Sequence, residues 1–444
     1  MNVSSIHRTV ALCRHLIGAG HRATVLTMPP LPGQPVDPTL LARVPGAIEI
    51  VAVRPWLQKW ITNEKKIAAG ATGPAAEAPP AARSDLQPGL RSWISWCLRT
   101  PDKWTPWFVP ALRRAIRYAR TNHVDVIYST APVWTAHLVA MAAAAWLKLP
   151  WVADCRDPWQ ANPFRRFPHA THRRLDAALE RGMVRRAWRV ICNTQGAAAE
   201  FSQRFPDRAE AFVAIPNGYD AAEVAAAMDA PVRPHDGICR LVHTGNFYGG
   251  RSPRPLLTAL KVLAQRRPEL RSRLRLVQIG LDNYQGQALS ELAGRCGAAD
   301  MVEVAGAMPH AQALQAVHQS DAAVVVGHDG PGSDLQIPRK FYEYIGLGKS
   351  ILVTGGSCAG ISQLLAGRSH ESIWMVPEQA DGGAKLADAL EQIVGRWQSG
   401  LLSGPQDLRA DFTSEVMAQR IRRVLIETVE AAEAPAAAAK EDAP

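Results

Sequence analysis

Short apolar runs rich in β-branched residues alternate with longer amphipathic windows along nearly the whole chain. That alternation is the strongest constraint on the fold, because parallel strands need crossover connections and amphipathic helices supply them. Two such series are legible. The first predicts a helix over Ser5–Ile17 ended by Gly18–Gly20, strands Ala23–Met28 and Ala47–Val53, and a basic helix Pro110–Thr121. Strand Val124–Tyr128, helix Thr135–Lys148, strand Trp151–Ala153, helix His172–Ala187 and strand Val190–Cys192 follow. The second opens on the strand Arg240–Thr244 and continues through helix Pro255–Gln265, strand Leu274–Ile279, helix Gln287–Cys296, strand Val302–Ala305, helix Ala311–Gln319 and strand Ala322–Val326. It closes with a short helix from Pro338, strand Ile351–Val353, helix Ile361–Leu365, strand Ile373–Val376 and helix Ala384–Trp397. The expected class is α/β, with two doubly wound parallel-sheet domains.

A chain of 444 residues exceeds one ordinary core and suits two domains of roughly 180 to 200 residues each. The expected bounds are 1–223 and 237–400, joined near Val224–Asp236, with a helix at 405–430 returning to the first domain. An Ala/Pro-rich stretch at about 70–90 reads as a flexible insertion, and 431–444 as a disordered tail. The chain opens at Asn2-Val3-Ser4-Ser5 directly before a helix, so the first domain is expected to lack its first strand. The seven cysteines stand singly, without zinc spacing. That predicts a reduced, cytoplasmic setting and no metal site. Neither a signal segment nor a membrane span is expected: the longest weakly polar run, Val133–Trp146, is short and contains His137. His137 itself reads as a packed or capping residue.

The net charge of +10 is concentrated in the first half, at Arg113, Arg114, Arg117, Arg120, Arg165, Arg166, Arg173, Arg174, Arg181, Arg185, Arg186 and Arg189. Eleven of the thirteen tryptophans also precede residue 190. Arginines with indoles suit an anionic membrane surface, with Trp93, Trp96, Trp104 and Trp107 as expected anchors. The competing reading makes these arginines solvated helix faces and the tryptophans core. Nucleic acid is not an expected partner, since no recognition motif accompanies the charge.

The segment Ile337-Pro338-Arg339-Lys340-Phe341-Tyr342-Glu343-Tyr344-Ile345 lies between two apolar strands. Pro338 suits the first helical position, where a missing N–H costs nothing. Lys340 and Glu343, three apart, share one helix face; a cation beside a carboxylate at a helix start matches a ligand carrying phosphates and ribose hydroxyls. The plainer reading is a surface ion pair on a helix packed by Phe341, Tyr344 and Ile345.

Three blocks, in this order, resemble the GT-B glycosyltransferases, and the large retaining family 4 in particular. They are Asp125–Pro132 with Val152–Trp159; Ile215-Pro216-Asn217-Gly218-Tyr219-Asp220; and Thr244-Gly245-Asn246 with the Lys340–Glu343 segment. The resemblance spans about residues 2–425. It implies two Rossmann-like domains facing a central cleft, with acceptor against the first and nucleotide-sugar donor in the second. In that reading Glu343 binds the ribose, and Lys340, Arg251, Arg254, Asn246 and Gly245 surround the diphosphate. Tyr342 and Met308 complete the donor set, Met308 in the turn Gly306–Pro309 that resembles the family's base-contacting loop. A second family glutamate near the transferred sugar falls here on Leu335, with Asp334 and Gln336 beside it. Asp154, Arg156 and Asp157 are the implied catalytic group, following a strand end; a structural pairing that caps the next turn is the alternative.

The implied activity is metal-independent hexosyl transfer with retention, from a nucleotide sugar to a saccharide or lipid-linked saccharide in cell-surface polysaccharide synthesis. No cofactor is implied, and the location is cytoplasmic or peripheral at the inner membrane face. A sugar-nucleotide epimerase of the same fold and a catalytically silent nucleotide-sugar-binding protein remain open. A nicotinamide dehydrogenase is disfavoured, since no G-x-G-x-x-G follows an early strand.

Overall fold

The computed structural model describes residues 3–30, 43–56, 96, 99–162, 165, 167, 169–328, 330, 332–368, 371–377 and 381–441. The expected insertion at 70–90 and Trp93 lie outside the described residues. The chain divides into two compact units, one built from residues up to Pro216 together with those from Met417, the other from Asn217–Val416.

The first unit starts with α1 (Val3–Gly18), then a parallel pair, β1 (Thr24–Thr27) and β2 (Glu49–Ala52), and α2 (Phe108–Thr121). A four-stranded parallel sheet follows, β3 (Ile127–Ala131), β4 (Trp151–Cys155), β5 (Arg189–Cys192) and β6 (Phe212–Ala214), in spatial order β3-β4-β5-β6. Its connections carry α3 (Trp134–Leu147), α4 (Ala170–Arg186) and α5 (Gln195–Arg204). Thr194 caps α5 by accepting from the Ala197 N–H at 3.0 Å. β3 starts at Ile127, later than the periodicity predicts, because pairing with β4 begins where Ile127 meets Trp151.

His137 of α3 is fully buried; its Nδ1 lies 2.7 Å from Ser129 Oγ and its ring stacks with Trp159. Burial pushes its pKa down to about 3, so it is a packed neutral imidazole, as expected. The N-terminus of α3 is capped from a distance: Asp102 accepts from both the backbone N–H and the hydroxyl of Thr135, at 3.0 and 2.7 Å.

One tryptophan assignment changes, and one exposed tryptophan was not singled out. Trp107 is 5% exposed and donates its indole N–H to Val53 O at 2.9 Å, which makes it core rather than an anchor. Trp56 is 61% exposed, with the Arg113 guanidinium 5.2 Å from its ring. Arg113, Arg114, Arg117 and Arg120 all lie on the exposed face of α2. No described helix is long and apolar enough to cross a membrane.

The second unit begins with α6 (Ala221–Met228), capped by Asp220. Because this helix packs in the second unit, the division falls at Pro216, upstream of the expected join. A six-stranded parallel sheet follows: β7 (Cys239–Thr244), β8 (Leu274–Ile279), β9 (Val302–Val304), β10 (Ala322–Val326), β11 (Ser350–Thr354) and β12 (Ile373–Val376), in spatial order β12-β11-β10-β7-β8-β9. Counted within the unit this is the doubly wound order 3-2-1-4-5-6, and the direction of winding reverses between β7 and β10. The helices are α7 (Arg254–Arg266), α8 (Leu289–Arg295), α9 (His310–His318), α10 (Arg339–Gly346), α11 (Ser357–Leu364) and α12 (Ala384–Gln398). The sheet is covered on both faces, which is why Ala322-Ala323-Val324-Val325-Val326 is uninterruptedly apolar and every residue of it is buried.

Pro338 is the N-cap of α10 rather than its first helical residue, since its ψ of 136° is extended. Where the chain enters the second unit, Gly218 passes so close to the segment leaving it that a Cβ there would sit 2.4 Å from Thr413 O. Tyr219 N–H donates to Phe412 O at 2.9 Å and Ser414 N–H to Tyr219 O at 2.7 Å. The last helix, α13 (Ser414–Glu441), then packs Met417, Ala418, Ile421 and Leu425 with Leu12 of α1 and with Val152 and Ile191 of the first sheet. It continues through most of the expected irregular tail, consistent with that segment's alanines and glutamates being good helix formers.

Candidate functional site

In a doubly wound sheet the place to look is beyond the strand carboxyl ends at the winding reversal. Here that is the end of β7, beside β10. The chain turns sharply after Thr244 at Gly245, whose φ of +90° is a left-handed conformation that glycine adopts without cost. Gln278 Nε2 donates to Gly245 O at 2.6 Å and Gly245 N–H to Ile279 O at 2.7 Å, so the loop is tied to β8. Gly280 must also be glycine: a Cβ would stand 2.3 Å from Gly245 O.

Lys340, on the first turn of α10, reaches under this loop. Its Nζ donates to Thr244 O and to His243 Nε2, the latter at 3.0 Å, and a Cβ on Gly245 would lie 3.4 Å from it. His243 is buried, with Nδ1 2.7 Å from Gln278 Oε1. That amide oxygen only accepts, so Nδ1 carries the proton and Nε2 is left to accept from lysine; the tautomer is assigned from this network. Burial holds the His243 pKa well below its ordinary value, with the Lys340 charge adding to the effect. Burial likewise lowers Lys340 to about 7; Arg251 pushes the same way and Glu343 opposes both. The site therefore holds a desolvated ammonium beside a second cation, an arrangement that an entering anion stabilises.

Arg251 stands in the loop after β7, with its guanidinium 4.8 Å from the Tyr248 ring. Arg254 is exposed as the first residue of α7. The structure therefore gathers Gly245, Arg251 and Lys340 as the sequence expected. Asn246 has a different part: its Oδ1 accepts from Leu281 N–H at 2.9 Å, so this side chain braces two loops.

Glu343 lies one turn along α10 and is not ion-paired to Lys340. Its Oε1 is 3.0 Å from Arg339 Nε and 3.7 Å from His310 Nε2. Both Glu343 and the partly buried Lys340 turn inward, so the surface-pair reading does not hold. Tyr342 is 1% exposed, in the core against Phe341 and Phe412, a packing position. Met308 is partly buried against the same core. Leu335 is buried in a short 3-10 turn (Ser333–Leu335), and the flanking Asp334 and Gln336 are partly buried. Sequence reasoning missed His243, Gln278, His310 and Arg339. Arg339 had a signal, standing four residues before Glu343.

In the first unit the catalytic expectation needs correction. Asp154 lies inside β4 rather than after it, is 0% exposed, and is saturated. Arg8 holds it with two bonds of 2.9 and 3.0 Å, and Tyr128 and Thr130 hydroxyls donate at 2.5 and 3.1 Å. It is a structural anion. Arg156 and Asp157 do follow the strand, both partly buried; Arg156 Nε donates to Ala131 O at 2.8 Å.

Residues 67–223 match the family model described as Glycosyltransferase Family 4. Among solved structures, HepE of Anabaena in complex with UDP aligns with a TM-score of 0.58 at 16% identity, over 91% of this chain and 100% of that one. The chain has the GT-B fold. This GT-B chain also aligns with sucrose-phosphate synthase of Thermosynechococcus elongatus, with a TM-score of 0.58, 15% identity and coverage of 95% and 92%. A glycosyltransferase of Rickettsia africae aligns at 0.59, 11% identity and coverage of 96% and 94%. At such identities the likeness concerns architecture: two Rossmann-like α/β domains with parallel sheets. A search of curated proteins finds no match.

Proposed function

We propose that this GT-B chain transfers a hexosyl group from a nucleotide-sugar donor to a saccharide or lipid-linked saccharide, retaining anomeric configuration and using no metal. The observation that carries the reading is Lys340: a lysine drawn beneath the Gly245 loop at the winding reversal, one helical turn from the carboxylate of Glu343. The diphosphate would take Lys340 and Arg251, and the ribose hydroxyls would donate to Glu343. The family match over 67–223 and the likeness to a structure titled with UDP support the same donor class. Arg156 and Asp157 are the acceptor-side candidates. A thermal-shift screen against UDP-, GDP- and dTDP-sugars should raise the melting temperature for one of them. NMR of the product formed from that donor should then show the anomeric configuration of the donor; an inverted product would sink the retaining assignment.

The setting belongs to the same proposal: cytoplasmic, peripheral at the inner membrane face, in cell-surface polysaccharide synthesis. Exposed Trp56 with Arg113, Arg114, Arg117 and Arg120 on α2 offers indole and cations to anionic headgroups. The protein should sediment with phosphatidylglycerol vesicles and not with phosphatidylcholine vesicles, and Arg113→Glu with Arg117→Glu should abolish that. Equal sedimentation with both vesicle types would remove the membrane part of the reading.

A further inference from the structure

Glu343 is held by a group from one other helix of its own unit as well as by one from its own helix. Arg339 approaches Oε1 at 3.0 Å from one turn earlier in α10. His310, the first residue of α9, brings Nε2 to 3.7 Å of the same oxygen and to 3.6 Å of Glu223 Oε2 on α6. Glu223 closes the ring, its Oε2 lying 3.8 Å from Arg339 Nη2. Three helices thus contribute two carboxylates, one guanidinium and one imidazole, and with the imidazole protonated the charges alternate around the ring. Burial lowers the His310 pKa, but the neighbouring Glu223 and Glu343 carboxylates outweigh it and hold the group above its ordinary value, with Arg339 opposing them.

We propose that His310 is a positioning residue for donor recognition: with Arg339 and Glu223 it fixes the Glu343 carboxylate by one oxygen, so that the other is presented to the ribose hydroxyls. This rests on the donor reading above. A carboxylate held in one rotamer accepts from vicinal hydroxyls at little entropic cost, whereas a swinging glutamate gives up part of that gain on binding. His310 touches no ligand in this scheme. It acts by separating two carboxylates that would otherwise repel, leaving Arg339 as their shared cation.

The test uses the ratio of dissociation constants for a ribonucleotide and its 2′-deoxy analogue, measured by calorimetry on the full chain with UDP and 2′-deoxy-UDP and, in parallel, GDP and 2′-deoxy-GDP. Taking the ratio cancels the diphosphate and base contacts, including Lys340. The wild type should prefer the ribonucleotide by about tenfold, the loss of one charge-assisted hydrogen bond, and Glu343→Gln should remove most of that preference. His310→Gln should reduce the ratio several-fold while 2′-deoxy-UDP or 2′-deoxy-GDP binding stays near wild type, and His310→Lys, which keeps a cation there, should restore part of it. In the wild type the ratio should fall as pH rises and the imidazole loses its proton, and in His310→Lys it should not. A ratio that collapses in Glu343→Gln but is unchanged in His310→Gln overturns the positioning role and leaves the ribose grip standing. A wild-type ratio of one for both pairs overturns the grip and the positioning role together.

Discussion

Replacing Lys340 by alanine should weaken nucleoside diphosphate binding by about 10- to 100-fold, the range for losing a charge-assisted hydrogen bond, while the protein stays folded. Its ammonium sits beneath the Gly245 turn, donating to a backbone carbonyl and an imidazole, and burial lowers its pKa to about 7. A buried cation held below its ordinary range is unfavourable to the empty protein, so removing it should not unfold the domain. The pH dependence follows. Below about pH 7 the lysine is already charged and affinity is flat; above it, binding a diphosphate must first draw a proton onto Nζ. Affinity should then fall with rising pH by up to tenfold per unit, until the pKa of the bound state is passed. Calorimetric titration of UDP and GDP from pH 6 to 9, in two buffers of different ionisation enthalpy, checks both the slope and the proton uptake. A flat profile in the wild type, or alanine binding as tightly as lysine, would defeat the phosphate role.

The second large effect concerns stability. Arg8→Met should cost about 3–5 kcal/mol, because it strands a buried carboxylate, and lower the melting temperature by about 10 °C in a unit of this size. Arg8 is 4% exposed; besides Asp154 it donates to Ile215 O at 3.2 Å, so it joins α1, β4 and the end of β6. Burial raises the Asp154 pKa, but the Arg8 charge and the bonds from Arg8 and Tyr128 more than offset it, and the net shift is downward. A depressed carboxylate contributes stability that is present above its unfolded pKa of about 3.9 and is lost as pH falls through the folded value. In Arg8→Met the burial effect loses its strongest opponent, so the variant's deficit should shrink on acidification from pH 7 to pH 4.5. Adding Asp154→Leu should recover a large part of the loss, since an apolar replacement of a buried pair is often neutral. Scanning calorimetry decides it: a deficit under about 1 kcal/mol would mean the pair is as dispensable as an exposed one.

The contrast between these two sites explains what the sequence made legible. Periodicity exposes local facts, and Lys340 and Glu343 are three residues apart, so their place on one helix could be read without knowing the fold. The alternating apolar runs likewise predicted nearly every strand of the second sheet. Arg8 and Asp154 are separated by 146 positions, and nothing in either neighbourhood announces the other. Seen alone, Asp154 beside Arg156 and Asp157 looked like a reactive cluster; only the register that sets Thr130 opposite Asp154 shows that the carboxylate lies within the sheet. Trp107 misled for the same reason, because its indole partner is Val53 O on a distant segment. Glu343 was legible, but the ring of Glu223, His310 and Arg339 around it needed three helices to meet.

The clasp at Gly218 has a consequence for how the chain is assembled. Because Tyr219 is hydrogen-bonded to both Phe412 and Ser414, the segments entering and leaving the second unit run side by side. The second unit is thus a cassette with its ends zipped together, spliced into a host whose α13 is made only after the cassette is complete. During synthesis the host must wait some two hundred residues, Asn217–Val416, for α13 to cover Leu12 and Ile191. The cassette can close on itself in the meantime, so the half that begins later in the sequence is the half equipped to fold first.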